Sequence, residues 1–413
     1  MNRDKRLHTV TLDADKCKGC INCMKRCPTE AIRVRDGKAK IIYDRCIGCG
    51  ECVRTCSHHA KKVVYDGFDI IRNYRYKIVL PAPSLYGQFN HLDNVNYVLE
   101  GLLAIGFDEV FEVSRGAELV SEATRRYLEK TNIRPVISSA CPAVVELILI
   151  RFHNLKQNLL PLAAPVDVAA RLAREGAVRR LGLKPEEIGV FFVSPCPAKV
   201  FALKCGLGAD PGNIDGVLAQ SEVYFHLLDA MKEIKNPREL STSGIMGIGW
   251  ASSGGEAAGV LKEKYLAADG IENCISVLEE IEDDKIHDVD FVELNACPGG
   301  CVGGVLNIEN PFIAKSKIQA IRKYMPVSKN RLSDFSLNQE SLRWEHDPEI
   351  MAVYQLDEDR MVAMEKMQQV EALLERLPKL DCGSCGAPSC RAFAEDVVNG
   401  VITAKICPRL EEL

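Results

Sequence analysis

The stretch VISSACPAVVEL, Val136 to Leu147, sets a short apolar run against a lone cysteine, Cys141, and a proline, with a helix-like continuation beyond. It reads as a strand-to-helix junction. Two other segments share the pattern: IGVFFVSPCPAK delivers Cys196, and VDFVELNACPGGC delivers Cys297 and Cys301. The candidate strands YKIVLPA, DEVFEV, RPVISS, GVFFVSP and DFVELNA alternate with helical stretches such as Val166 to Leu181. That is the pattern of an α/β domain with a largely parallel sheet. A cysteine at one strand end is usually a small buried hydrophobe. Ligands of open α/β sheets, however, gather at the carboxyl ends of strands. The four thiols can therefore converge without a local C-x2-C run. Gly299 and Gly300, followed by Gly303 and Gly304, free the backbone there to approach a cofactor closely.

The rest of the chain decides between these readings. Its 413 residues allow two to four domains. With 47% hydrophobic and 26% charged residues, the composition is that of an ordinary globular protein. A formal net charge of -5, without basic runs, argues against a nucleic-acid surface. The N-terminal MNRDKRLHTVTLD is charged and has no apolar core, so a signal peptide is not expected and a cytoplasmic location is. No apolar run approaches the roughly 20 residues of a membrane span. Eighteen cysteines in a reducing compartment point to metal or redox chemistry rather than to a disulfide scaffold.

Cys17, Cys20, Cys23 and Cys27 follow C-x2-C-x2-C-x3-C, with Pro28 next; Cys46, Cys49, Cys52 and Cys56 repeat the spacing 29 residues later. Between them IRVRDGKAKIIY offers two strands joined at Asp36-Gly37. A cubane iron–sulfur cluster needs four thiolates arriving from different directions. Three cysteines on a tight loop cover one face, and the fourth comes from elsewhere. Zinc motifs rarely show such a doubled run. Residues 8–66 resemble a bacterial two-cluster ferredoxin, in which the fourth cysteine of each run serves the other cluster. This implies one [4Fe–4S] set of Cys17, Cys20, Cys23 and Cys56 and another of Cys46, Cys49, Cys52 and Cys27. Ser57 stands where the second run usually has proline, outside the ligand set.

Near the other end, DCGSCGAPSC and a later cysteine place Cys382, Cys385, Cys390 and Cys407 in C-x2-C-x4-C-x16-C spacing, with a short helix read over Arg391 to Asn399. This resembles the small four-iron domain of some membrane electron-transfer complexes and corrinoid iron–sulfur proteins. Upstream, Met361, Met364, Met367, Val370, Leu373, Leu374 and Leu377 recur at helical spacing, which predicts a packed helix face ended by Pro378.

With twelve cysteines placed, the segments around Cys141, Cys196, Cys297 and Cys301 resemble, in order, the H-cluster motifs of [FeFe] hydrogenases, over roughly Tyr76 to Tyr324. The resemblance implies that these four cysteines hold a cubane. It implies that Cys301 bridges to a diiron subcluster carrying carbon monoxide, cyanide and a dithiolate. Lys199 then matches the lysine that donates to a cyanide ligand, an acceptor suited to a cationic donor. The resemblance also implies that Gly299, Gly300 and Ala140 line the cofactor. Cys205 and Cys274 match no motif position and are read as incidental thiols.

Three departures from the family pattern fall in its proton relay. Ala140 stands where catalytic members carry a second cysteine, and Ala202 where they carry a glutamate. In VSRGAEL, Glu118 remains but Arg115 replaces its companion acid; Asn295 stands where methionine is usual. Proton transfer needs a titratable group within hydrogen-bond reach of the reacting centre. The pattern therefore resembles the sensory branch of the family, binding or slowly oxidising H2. A redox or signalling partner, such as a reductase subunit, kinase or phosphatase, would then read its state. The alternatives are a slow catalytic subunit within a larger complex and a non-catalytic electron-transfer subunit holding only [4Fe–4S] clusters. An anaerobic host is implied by the family. The expected architecture is a two-lobed α/β hydrogenase-like domain with mostly parallel sheets (71–345), preceded by a small α+β ferredoxin domain (1–70) and followed by a helix and a small helical iron–sulfur domain (346–413). The irregular stretch from Ser328 to Asp347 is expected to link the last two.

Overall fold

The computed structural model describes residues 8–209 and 211–409. They fall into two compact units. One combines the segment ending at Val63 with the segment beginning at Ile350; the other is Val64–Glu349. The two terminal cysteine-rich segments, read from sequence as separate domains, thus share one unit.

In the first unit, β1 (Val10–Leu12) pairs antiparallel with β4 (Lys61–Val63), and β2 (Ile32–Arg35) with β3 (Lys38–Ile41). Asp36 and Gly37 make the predicted turn, both at positive φ (53° and 71°). Two four-residue helices, Asn22–Lys25 and Glu51–Arg54, carry Cys23 and Cys52 and show the repeat in space. Met24, Ile32, Ala39 and Ala60 form a small core around the thiols. In the C-terminal segment, Asp359 caps a helix over Arg360–Arg376, accepting from the N–H groups of Met361 and Val362. Ser389 caps a second helix, Cys390–Val398. The methionine stripe is not a packed face: Met361 is 66% exposed and Met364 53%, whereas Val370 and Leu377 are buried. The core beneath these helices gathers around Phe393, Val370 and Leu377, so burial on the long helix is confined to its second half.

The second unit holds two all-parallel sheets. One has the order β6 (Glu109–Val110), β5 (Tyr76–Pro81), β8 (Ile188–Ser194), β9 (Gly216–Ala219); the other has β10 (Tyr265–Asp269), β11 (Phe291–Asn295), β7 (Val136–Ile137). These are the two lobes expected. The strand β8 is buried along its whole length, as a parallel strand covered on both faces must be, hence its unbroken apolar sequence. The strands β9 and β10 went unread because GVLA is too short for a pattern and YLAAD shows no alternation.

The stretch from Ser328 to Asp347 belongs to the second unit and is not a linker. Leu332 and Leu342 are fully buried, Arg343 bridges to Leu162, and the Trp344 N–H donates to the Pro161 carbonyl at 3.1 Å. It is a surface strap, polar because most of it faces water, pinned by a few apolar anchors. Among the described residues no helix is long and apolar enough to cross a membrane. Replacing Leu342 by alanine should cost about 2–5 kcal/mol in denaturant titration, as for a core leucine; a free linker would show no change.

Candidate metal centres

The two N-terminal cysteine runs exchange their last members. Burial pushes the Cys23 thiol up, and the thiols that act on it are Cys20, Cys56 and Cys17. Burial likewise raises Cys49, and its thiol neighbours are Cys27, Cys52 and Cys46. Each group is three cysteines of one run plus the fourth of the other. Cys27, Cys46, Cys49 and Cys52 line one cavity of about 370 Å³. Main-chain N–H groups point at the sulfurs: Ala31 at Cys27 (3.2 Å), Ala39 at Cys17 (3.4 Å) and Ala60 at Cys56 (3.3 Å). At Cys56 burial acts upward, but donors including Lys61 and Ala60 outweigh it and lower the thiol's pKa.

The Lys61 ammonium is buried without a hydrogen-bond partner among the described residues, and it acts electrostatically on Cys23, Cys52 and Cys56. An unpaired buried cation is costly unless an anion stands beside it. Thiolate-ligated cubanes, which are anionic, would satisfy Lys61 and take up the N–H donors. The donor sets therefore fit iron–sulfur clusters.

At the other end of this unit, Cys382, Cys385, Cys390 and Cys407 line a single cavity of about 300 Å³ with Leu377 and Phe393. Cys382 is exposed, and hydrogen bonds from Ser384 lower its pKa. Burial raises Cys385. Asp381 fixes the approach by accepting from the Cys390 N–H at 2.6 Å.

In the second unit, three parallel strands deliver the central cysteines. Beyond β7, Cys141 caps the helix Pro142–Arg151; beyond β8, Cys196 caps Pro197–Cys205; Cys297 and Cys301 follow β11. Lys199 lies one turn into its helix, with Nζ 3.7 Å from Cys301 Sγ. Burial acts against its charge, but the thiols of Cys301, Cys196, Cys141 and Cys297 together hold it protonated. All four sulfurs thus act electrostatically on one buried lysine. Burial pushes Cys196 up to about 11. Gly300, at φ 92°, packs against protein main chain: a Cβ there would lie 2.4 Å from the Ser253 nitrogen. Gly299 donates its N–H to Asp269 at 2.9 Å. Cys205 ends its helix, and Cys274 is buried with its thiol donating to the Asn295 carbonyl at 3.3 Å.

Ala140, Lys199 and Cys301 face one cavity of about 600 Å³, together with Asn295, Glu256 and Glu293. Ala140 and Lys199 also face a second, of about 450 Å³, with Ala202 and Asp167. Two residues that sequence reasoning missed therefore carry the acids of the main cavity. Glu256 accepts from Ser138 Oγ at 2.8 and 2.7 Å. Glu293 accepts from Gly254 N (3.0 Å), Ala257 N (2.8 Å) and Asn295 Nδ2 (2.7 Å). Burial raises the pKa of both, and the charge of Glu293 pushes Glu256 higher still. A carboxyl inside the apolar run DFVELNA was the signal for Glu293; Glu256, in SSGGEAAG, had none.

Glu118, by contrast, is tied up. Its carboxylate accepts from the N–H groups of Gly244, Lys329 and Asn330, from Ser328 Oγ and from Asn330 Nδ2, at 2.5–2.9 Å. Arg115 donates Nε to Asn330 Oδ1 at 3.1 Å and stacks over Phe111. This pair pins the strap.

Two outcomes follow from this geometry. Glu118→Ala strands several buried donors and should destabilise the second unit by roughly 3 kcal/mol or more in denaturant titration. Glu256 has a pKa raised on folding, so its contribution to stability is present below the ordinary carboxylate range and is lost as pH rises through the folded value. Glu256→Gln should therefore flatten the fall in melting temperature on the alkaline side of that range.

Comparison with known proteins bears on this arrangement. Residues 75–265 and 227–305 match the family model described as iron only hydrogenase large subunit, C-terminal domain. Residues 9–57 match a 4Fe-4S dicluster domain, and 377–409 an Fe–S cluster family. Iron hydrogenase 1 of Clostridium pasteurianum is 23% identical over 395 residues, covering 77% of this chain and 68% of the relative. The periplasmic [Fe] hydrogenase large subunit of Nitratidesulfovibrio vulgaris is 24% identical over 397 residues, covering 81% and 94%. A variant of the [FeFe]-hydrogenase HydA1 from Chlamydomonas reinhardtii superposes with a TM-score of 0.53 at 16% identity, covering 67% of this chain and 95% of that one, a likeness of fold. With more than half of its length matched by the hydrogenase model and iron–sulfur modules at both ends, the chain belongs to the iron-only hydrogenase large-subunit family.

Proposed function

We propose that the protein is a sensory member of this family: it binds or slowly oxidises H2 and passes electrons through [4Fe–4S] clusters to a redox or signalling partner. In this reading Cys17, Cys20, Cys23 and Cys56 hold one cluster, Cys27, Cys46, Cys49 and Cys52 a second, and Cys382, Cys385, Cys390 and Cys407 a third. Cys141, Cys196, Cys297 and Cys301 would hold the cubane of an H-cluster, and Cys301 would also serve its diiron subcluster. That subcluster, when bound, supplies the hydrogen chemistry. Lys199 fits as the donor to its anionic ligands, since its ammonium is held charged by the sulfurs around it.

The observation that carries the sensory reading is the wall at Ala140. It faces the cavity shared by Lys199 and Cys301 and offers no group able to hold a proton. Ala202, on the neighbouring cavity, offers none either. Arg115 and Glu118 are committed to the strap. Proton movement near the centre then falls to Glu256 and Glu293, whose pKa values burial raises, and on the neighbouring cavity to Asp167, which burial pushes up to about 7. Those acids also support the second reading, a hydrogenase that turns over slowly.

Infrared spectra of protein matured and purified without oxygen should show bands of metal-bound carbon monoxide and cyanide. A protein fully loaded with iron and sulfide but lacking them would instead be an electron-transfer subunit holding only cubanes. In protein showing the bands, Ala140→Cys should raise hydrogen–deuterium exchange by about 100-fold, the low end for a restored acid–base group. Glu293→Gln should lower the residual rate. An unchanged rate in Ala140→Cys would remove the broken relay as the reason for slow turnover.

A further inference from the structure

The N-terminal and C-terminal cysteine segments meet inside the first unit along a contact built from charge. Arg33, on β2, donates Nε and Nη2 to the Asp396 carboxylate at 2.7 and 3.2 Å. Arg35 donates Nη2 to the same carboxylate at 2.7 Å and Nη1 to the Cys385 carbonyl at 2.7 Å. Arg33 and Asp396 are buried. From the helix that carries Cys23, Lys25 Nζ donates to the carbonyls of Asp381 and Pro388 at 2.5 and 2.8 Å. The main chains join as well, Val34 N–H donating to the Gly386 carbonyl at 2.9 Å.

The approach is as close as main chain allows. Gly386 sits at φ +74°, and a Cβ there would lie 1.9 Å from the Val34 oxygen. A Cβ on Gly383 would lie 3.1 Å from Met24 Cε and 3.3 Å from Ile21 Cδ1. Met24 and Ile21 neighbour Cys23 and Cys20. The loop bearing Cys382 and Cys385 is therefore seated on the turn bearing Cys20 and Cys23. Buried ion pairs add little net stability, because desolvation offsets their attraction, but their directional hydrogen bonds fix geometry. Here they fix one four-cysteine site against another.

We propose that the C-terminal four-cysteine site is wired directly to the ferredoxin pair through the Cys17, Cys20, Cys23 and Cys56 site, with Arg35 and Asp396 as the residues that position it and set its potential. The inference rests on the reading that both sites hold cubanes. The step is the transfer of one electron: one cubane is oxidised by one charge, the other is reduced by one, and no bond or proton moves. Rate falls steeply with distance between clusters, so a rigid contact at the ligand loops is what such a step requires. Cluster potentials respond to nearby charge and hydrogen bonds. A guanidinium at the Cys385 carbonyl stabilises the more negative, reduced state, and the Asp396 carboxylate opposes it.

The test uses the full chain, reconstituted with iron and sulfide without oxygen and reduced with dithionite, followed by low-temperature electron paramagnetic resonance and a redox titration. In the unaltered protein the C-terminal signal should be broadened by spin coupling, and Cys385→Ser, which removes that cluster, should leave the ferredoxin signals uncoupled from it. Arg35→Gln should shift the C-terminal midpoint potential to more negative values and Asp396→Asn to more positive ones, with Arg35→Lys restoring most of the first shift. A merely structural clamp would not give shifts of opposite sign. A magnetically isolated C-terminal cluster in the unaltered protein overturns the wiring, and that result needs no variant to fold. Iron short by one cubane in the unaltered protein overturns the occupancy reading, and the inference with it.

Discussion

Four thiols in one buried pocket are an unstable arrangement on their own. Burial drives them toward the protonated state, as at Cys23, Cys49 and Cys196, and as thiolates they would repel. A cationic cofactor or a fixed cation must accompany them. The fold repeatedly supplies the second of these: Lys61 between the N-terminal sets, Lys199 among the central sulfurs, Arg35 at the C-terminal loop. Much of the local structure serves to bring thiols together from separate directions and to hold one positive charge beside them.

In the second unit this requirement is met by topology. Within each sheet the parallel strands end on the same side; β7 and β11 of one sheet and β8 of the other release cysteines that all act on Lys199. The helices that follow each begin at or beside a cysteine, which keeps the sulfurs on short, well-defined segments. The acids Glu256 and Glu293 enter the same space, one from the first turn of the short helix Gly255–Gly259 and one from within β11. The strap from Ser328 to Asp347 closes over the unit through Glu118, an acid whose acceptor capacity goes to holding backbone.

The first unit solves a different problem. It gathers three four-cysteine sites from segments separated by nearly the whole chain, and its joint consists of arginines facing two consecutive acids, Glu395 and Asp396. Short strands and four-residue helices cannot bury enough apolar surface to define such a joint. Charge, hydrogen bonds and a glycine fitted to Val34 define it instead.

Local spacing was legible in the chain. The doubled cysteine run, the Asp36-Gly37 hairpin, the three strand-to-cysteine segments and the C-terminal set are each written within a few residues, because a cluster ligand loop or a parallel strand imposes its pattern locally. What the sequence did not contain was partnership over long separations. The exposed methionines of Arg360–Arg376 carry the same periodicity as a buried face, and only the position of the neighbouring helix distinguishes them. Arg33 and Asp396 are ordinary charged residues until they meet across 363 positions. Glu256 becomes an acid of the central cavity only when the short helix Gly255–Gly259 folds against β11. Periodicity and spacing are properties of one segment, whereas burial and charge pairing belong to two, so tertiary structure alone decided them.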